Sequence, residues 1–247
     1  MRRSEDMNYT NLKDIRVKLD QATERITSRL KDRSRFLQNP SIYKPDAVKI
    51  EGRMGISFLD FALEGIEKYH ASLGRYEYSD QTPLVIKPHH SRVEREISSS
   101  SIEKVKINVK DEIMRFYLNF IKRACAPGED KISFGETAYC DADIMEMLNE
   151  RINLGKFVAE SKYRTDPSIS EVIHSDELLE SKLRNRAREQ EVLENVRAAA
   201  SRYDLDQVLV EDFFKDMIDV TTKLEMEYLR RKFESKNNIS QCRINGK

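Results

Sequence analysis

Tryptophan is absent from the 247 residues, and glycine (8) and proline (6) are both scarce. A chain so poor in turn-forming residues has few places where a helix must stop. Its abundance of Leu, Ile, Glu, Lys and Arg then favours long helices over sheets. No excess of either charge exists: Lys plus Arg and Asp plus Glu both number 43. A nucleic-acid partner is therefore not expected, because such binders advertise a basic surplus. Cysteines are few and odd in number, and Cys125, Cys140 and Cys242 share no metal-ligand spacing. They read as reduced thiols of a cytoplasmic protein. No apolar run approaches membrane-spanning length, and the charged start MRRSEDMNYTN has no apolar core, so neither a membrane partner nor a secretory signal is expected. What is present is 39% hydrophobic and 35% charged residues, enough for one substantial core beneath a polar surface.

Apolar residues recur at helical spacing from Asn11 to Phe36, until Pro40 and Pro45 forbid continuation. A second helix is predicted over Gly55–Leu73, ending at a Gly74 cap. Residues 76–101, with SDQTP, KPHH and four consecutive serines, read as a long surface loop. Helices are predicted again over Glu103–Ala124 and, without interruption, over Glu136–Tyr163. A short one opens at Pro167, and two more span about Ser175–Tyr203 and Val208–Glu234. The tail after Lys236 is polar and expected to fray. The predicted fold class is all-α, a single-domain multi-helix bundle over residues 1–247 whose long helices bury their faces against one another.

Some helix faces mix charge with apolar residues. Eleven residues bring a helix nearly back to its starting azimuth, so Arg151, Gly155, Val158 and Lys162 share a face in ERINLGKFVAESKY. On spacing alone, a solvated face is the simpler expectation. Gly155 within a helix costs about 1 kcal/mol relative to Ala, which suggests that something approaches the backbone there. Asn185 and Glu189 stand four apart in NRARE, as do Thr221 and Glu225 in TTKLE. Arg16 lies beside Ile15. Charge buried without a partner is costly, so convergence of these positions would call for a ligand of opposite character. The neighbouring His89 and His90 are expected on the loop surface, His70 on a helix flank, and Phe116, Tyr117 and Phe120 in packing.

Four blocks in order carry a family resemblance: LKDIRVKLDQATERITSRLKDRSRFLQNPSIY, SFLDFALEGIEKYHASLGRYEYSDQTP, FGETAYCDADIMEMLNERINLGKFVAESKY and TTKLEMEYLRRKFE. The chain resembles the eukaryotic-type, fungal and plant branch of the all-helical chorismate mutases, nearly end to end, with a divergent middle from about Leu84 to Lys131. The resemblance implies conversion of chorismate to prephenate on the way to phenylalanine and tyrosine. That reaction is an intramolecular [3,3] rearrangement that needs no cofactor, no metal, no covalent intermediate and no proton transfer. Its catalysis is orientation and electrostatic preorganisation.

By the same resemblance, Arg16 and Arg151 bind the two substrate carboxylates, and Lys162 donates to the ether oxygen where negative charge grows. Glu225 flanks that oxygen and donates only when protonated. Ionised Glu189 accepts from the ring hydroxyl beside Asn185, Thr221 contacts a carboxylate, and Val158 forms an apolar wall. Arg188 is placed in solvent in preference to the ligand. Homodimerisation is implied, with a tyrosine or tryptophan effector held near Arg75, Gly135 and Glu136. Two rival readings are a non-catalytic helical regulator of the same fold that binds an aromatic amino acid, and a helical scaffold.

Overall fold

In the computed structural model, residues 11–87, 91–93 and 100–244 are described, with side chains as far as Ser235. His89 and His90 lie outside the described residues. Eight α-helices appear among them: α1 (Leu12–Ser34), α2 (Phe58–Ser72), α3 (Lys110–Ala124), α4 (Phe134–Asn153), α5 (Gly155–Thr165), α6 (Asp176–Leu183), α7 (Arg186–Arg202) and α8 (Gln207–Ile244). Short 3-10 turns link several of them, and the described residues contain no strand beyond one isolated bridge, Ile50 to Arg53. The all-α expectation therefore holds.

Local signals explain most helix ends. Asn11 caps α1 by accepting from the Lys13 N–H at 3.0 Å, and Ser57 caps α2 through the Asp60 N–H at 3.0 Å. Gly74 ends α2 with a φ of 77°, the left-handed conformation that glycine adopts at least cost. The core is one continuous cluster drawn from α1 to α8, in which α8 packs against α3, α4, α5, α6 and α7. Phe116 and Phe120 on α3 meet Phe213 on α8 at centroid distances of 5.0 and 5.2 Å, as expected for packing aromatics.

Four boundaries differ from the sequence-based expectation. The helix predicted over Glu136–Tyr163 is broken at Leu154, where Phe157 N–H turns to the Leu154 carbonyl at 3.1 Å. Arg151 and Lys162 therefore sit on separate helices, α4 and α5. The predicted Ser175–Tyr203 helix divides at Arg184 and Asn185, because Asn185 leaves the helix to cap α7 through the Arg188 N–H at 3.0 Å. Helix α3 starts at Lys110 rather than Glu103, since Ile102, Ile107 and Val109 are buried from an irregular segment. Helix α8 continues past Glu234 to Ile244.

The 76–101 segment is also not simply a surface loop. Tyr76, Thr82 and Leu84 are buried, and Glu67 of α2 accepts the backbone N–H groups of Leu84, Val85 (3.0 Å) and Ile86 (2.9 Å). A second buried polar cluster joins α1 to α4 and α3. Arg33 Nε donates to Asp141 Oδ1 at 2.5 Å, and the hydroxyls of Tyr43 and Tyr117 donate to the same carboxylate at 2.7 and 2.5 Å. Arg33, Asp141 and Tyr117 are fully enclosed, so this network replaces water for an otherwise uncompensated charge pair.

Candidate active site

A cavity of about 520 Å³ opens between α1, α4, α5, α7 and α8. Arg16, Arg151, Val158, Lys162, Asn185, Glu189, Thr221 and Glu225 all line it. The structure thus brings together every catalytic and substrate-binding candidate read from the sequence. Seven basic side chains face two acidic ones, Glu189 and Glu225, so an electrically neutral chain concentrates positive charge in one place.

Arg151 stands out energetically. It is 4% exposed, its Nε donates to Thr23 Oγ1 at 3.0 Å, and its guanidinium lies 5.9 Å from the Phe214 ring centroid. Among the described residues no carboxylate comes within ion-pair distance of it. Burial, reinforced by neighbouring Arg188 and only partly offset by Asp20, pushes its pKa down to about 10. A buried cation held this way, still charged at neutral pH, gains most from a ligand that supplies the missing anion.

Lys162 and Glu225 form the second polar centre. Lys162 Nζ donates to Glu225 Oε2 at 3.1 Å and to the Leu183 carbonyl, which leaves one of its three hydrogens for a ligand. Glu225 is buried, and that burial raises its pKa against the opposing pull of Lys162. The two helices that carry the pair meet at Gly155. A Cβ there would lie 2.9 Å from Thr221 Cγ2 and 3.3 Å from Glu225 Cγ, so the close approach suggested by this glycine is the approach of α8. Thr221 itself donates to the Met217 carbonyl at 2.8 Å.

Asn185 spends its Oδ1 on the α7 cap, so its side-chain amide N–H groups remain as donors to the cavity. Glu189 is held ionised: burial would raise its pKa, but Arg184 and Arg186 outweigh burial and lower it. Arg188 requires a correction. It lines the cavity with 18% of its side chain exposed, and bridges from α7 to Asp20 on α1, whose carboxylate draws the guanidinium out of solvent. Sequence reasoning also missed Lys182, Arg184 and Arg186 as lining groups. The alternating arginines of LRNRAR were the available signal, unreadable until the helix break at Asn185 was known.

The three effector candidates are not gathered in one chain. Arg75 Nε donates to Gln81 Oε1 at 3.0 Å, and its guanidinium lies 3.8 Å from Glu146 and 3.6 Å from Glu150. Gly135 and Glu136 are exposed in the first turn of α4. Eleven residues of helix separate position 135 from Glu146, roughly 16 Å at 1.5 Å per residue. His70, on a helix flank as expected, contacts Glu146 at 3.2 Å and Arg75 at 3.3 Å, away from the cavity, and His174 is exposed.

Fold and cavity define an all-helical protein with a cation-rich site in which a lysine and a buried glutamate stand side by side. Residues 134–226 match the family described as chorismate mutase type II. The chorismate mutase of Saccharomyces cerevisiae is 30% identical over 91% of this chain and 96% of its own length. Chorismate mutase 1, chloroplastic, of Petunia hybrida is 33% identical over 67% of this chain and 51% of its own length. In structure, the chain is similar to the Candida albicans chorismate mutase in complex with L-Trp. That match has a TM-score of 0.84 and 30% identity, covering 92% of this chain and 93% of the other. The chloroplast chorismate mutase of Zea mays matches with a TM-score of 0.84 and 25% identity, covering 95% and 98%. The chain belongs to the chorismate mutase family.

Proposed function

We propose that this cavity converts chorismate to prephenate, and that its side chains divide the work as follows. The observation that carries the reading is the buried Arg151, without a carboxylate partner among the described residues, facing the same cavity as the Lys162–Glu225 pair. Arg151 and Arg16 take the two substrate carboxylates, guanidinium forks matching carboxylates in shape and charge. Held at both ends, the enolpyruvyl group lies over the ring, which removes much of the entropic part of the barrier. As the C–O bond breaks and the new C–C bond forms, negative charge grows on the ether oxygen. The free hydrogen of Lys162 and the proton of Glu225 meet it there. Glu189 accepts from the ring hydroxyl, Asn185 donates beside it, and Val158 supplies the apolar wall. For Thr221 to serve a carboxylate, its hydroxyl must turn from the Met217 carbonyl.

The test is loss of chorismate's ultraviolet absorbance on adding the purified protein, with prephenate as product. A folded protein that binds tryptophan or tyrosine yet leaves chorismate unchanged would favour the non-catalytic regulator instead. We read Arg75 on one side and Gly135 with Glu136 on the other as halves of an effector site completed by two copies in a homodimer. The Candida relative's complex with L-Trp supports an aromatic effector. Titrating tryptophan and tyrosine against initial rates, with sedimentation at each concentration, checks both points. The free, buried thiols of Cys125 and Cys140 suit a reducing, cytoplasmic setting. No helix among the described residues is long and apolar enough to cross a membrane.

A further inference from the structure

Arg184 has no part in the roles assigned above, although it lines the cavity. It occupies the junction between α6 and α7 with 14% of its side chain exposed. Its Nε donates to Glu189 Oε1 at 3.0 Å and more weakly to Oε2 at 3.3 Å, while Nη2 donates to Oε2 at 2.8 Å. The remaining nitrogen, Nη1, reaches Glu180 on α6 at 3.1 Å and Asp219 on α8 at 2.8 Å. One planar guanidinium therefore ties three helices together and grips a carboxylate at both oxygens, a geometry that fixes orientation as well as charge.

Counting lone pairs shows what this grip leaves free. Oε2 of Glu189 accepts from Arg184 and also from Arg186 at 3.2 Å, so it is fully engaged. Among the described residues Oε1 accepts only from Arg184 Nε and keeps one lone pair open. We propose that Arg184 is a positioning residue for the rearrangement: it presents Oε1 of Glu189, as a carboxylate oxygen, to the substrate's ring hydroxyl and shields that charge from Glu225. The proposal rests on the chorismate mutase reading of the cavity.

The charged groups that line the cavity with Glu189 are Lys182 on α6, Arg184 at the α6–α7 junction, Arg186 and Arg188 on α7, Lys162 on α5, Arg151 on α4, Glu225 on α8 and Arg16 on α1, and Asp219 on α8 pairs with Arg184. Arg184 acts on both acids in the same direction. It lowers the pKa of Glu189 against burial, and it opposes the rise of Glu225, which burial and Glu189 both promote. Its removal therefore raises both. Activity requires Glu189 ionised and Glu225 protonated, so the acid and alkaline limbs of the pH–rate profile should both move to higher pH. A purely structural role would reduce the folded fraction without moving either limb.

The experiment measures kcat/KM for chorismate across pH with full-length wild type, Arg184→Gln, Arg184→Lys and Glu189→Gln, and with Arg184→Gln combined with Glu189→Gln. Arg184→Gln should lose about tenfold to hundredfold at neutral pH, the loss typical of one charge-assisted hydrogen-bonded group. Its acid limb should rise by roughly one pH unit. Arg184→Lys, which keeps the charge but not the fork, should return the limb most of the way and the rate only in part. In the Glu189→Gln background, Arg184→Gln should cost no more than about threefold, because the residue it serves is gone. Unmoved limbs, or an undiminished cost in that background, would overturn the proposal. Should Arg184→Gln fail to fold, Arg184→Lys still decides: a wild-type rate and profile would refute the need for a fork. Wild-type protein that leaves chorismate untouched refutes the underlying reading itself.

Discussion

Substituting alanine for Gly155 sets two effects against each other, and the structure says which wins. Ala is favoured over Gly in a helix interior by about 1 kcal/mol, and because Gly155 opens α5 the local gain is at most that. The added Cβ, however, would stand 2.9 Å from Thr221 Cγ2, 3.3 Å from Glu225 Cγ and 3.5 Å from Leu224 Cδ2. Ordinary carbon contacts begin near 3.5 Å, so α8 must retreat by roughly 0.5 Å. Thr221 cannot swing aside cheaply, because it is β-branched and its hydroxyl is bonded to the Met217 carbonyl at 2.8 Å. Overpacking of this kind costs about 1–3 kcal/mol, which exceeds the propensity gain, so net destabilisation of up to about 2 kcal/mol is expected. The retreat also carries Glu225 away from Lys162, its partner at 3.1 Å. If a 1 Å misplacement costs about a hundredfold in rate, half of that should cost about tenfold in kcat. Thermal unfolding and chorismate turnover on the same preparation measure both quantities. A Gly155→Ala protein that melts higher and turns over at the wild-type rate would refute the reasoning.

Three other outcomes follow from the same geometry. Lys162→Ala should lower kcat by about 10²–10³ with little change in KM, since its free hydrogen matters most as charge develops; a rise in KM alone would contradict that role. Glu225 has a pKa raised by burial and donates only when protonated, so wild-type activity should decline as pH rises through that value. Glu225→Gln, which cannot titrate, should flatten the decline, and an unchanged pH profile would count against Glu225 as the donor. Asp141→Asn should leave Arg33 buried without its counter-charge and destabilise the fold by about 3–5 kcal/mol, read by denaturant unfolding, while the folded fraction keeps its kcat.

The position of the cavity within the fold explains why its lining residues are scattered along the sequence. Arg16 comes from α1, Arg151 from α4, Lys162 from α5, Glu189 from α7 and Glu225 from α8, so no single helix carries a complete binding motif. Each helix contributes one or two polar groups to a face that otherwise packs on its neighbours. The charge is tolerated there because several of the groups compensate one another, whereas buried Arg151 has no carboxylate partner among the described residues. The same division constrains assembly of the proposed effector site, whose elements lie apart within one chain.

The sequence by itself determined the all-α class, the start of α1 at Asn11, the end of α2 at Gly74, and eight of the residues that line the cavity. These features depend on local chemistry: scarce glycine and proline, capping side chains, apolar spacing, and the ordered blocks that carry the resemblance. Only the tertiary structure decided that Leu154 breaks α4 from α5 and that Asn185 is a cap. It alone buried residues 82–84, tied the backbone of residues 84–86 to Glu67 and turned Arg188 toward Asp20. Those outcomes depend on groups far apart in the chain, and no local propensity encodes them. Gly155 shows the division most clearly. Its cost to a helix is legible from the residue alone, but the reason for tolerating it is the approach of Thr221 and Glu225 on α8, three helices further along the chain.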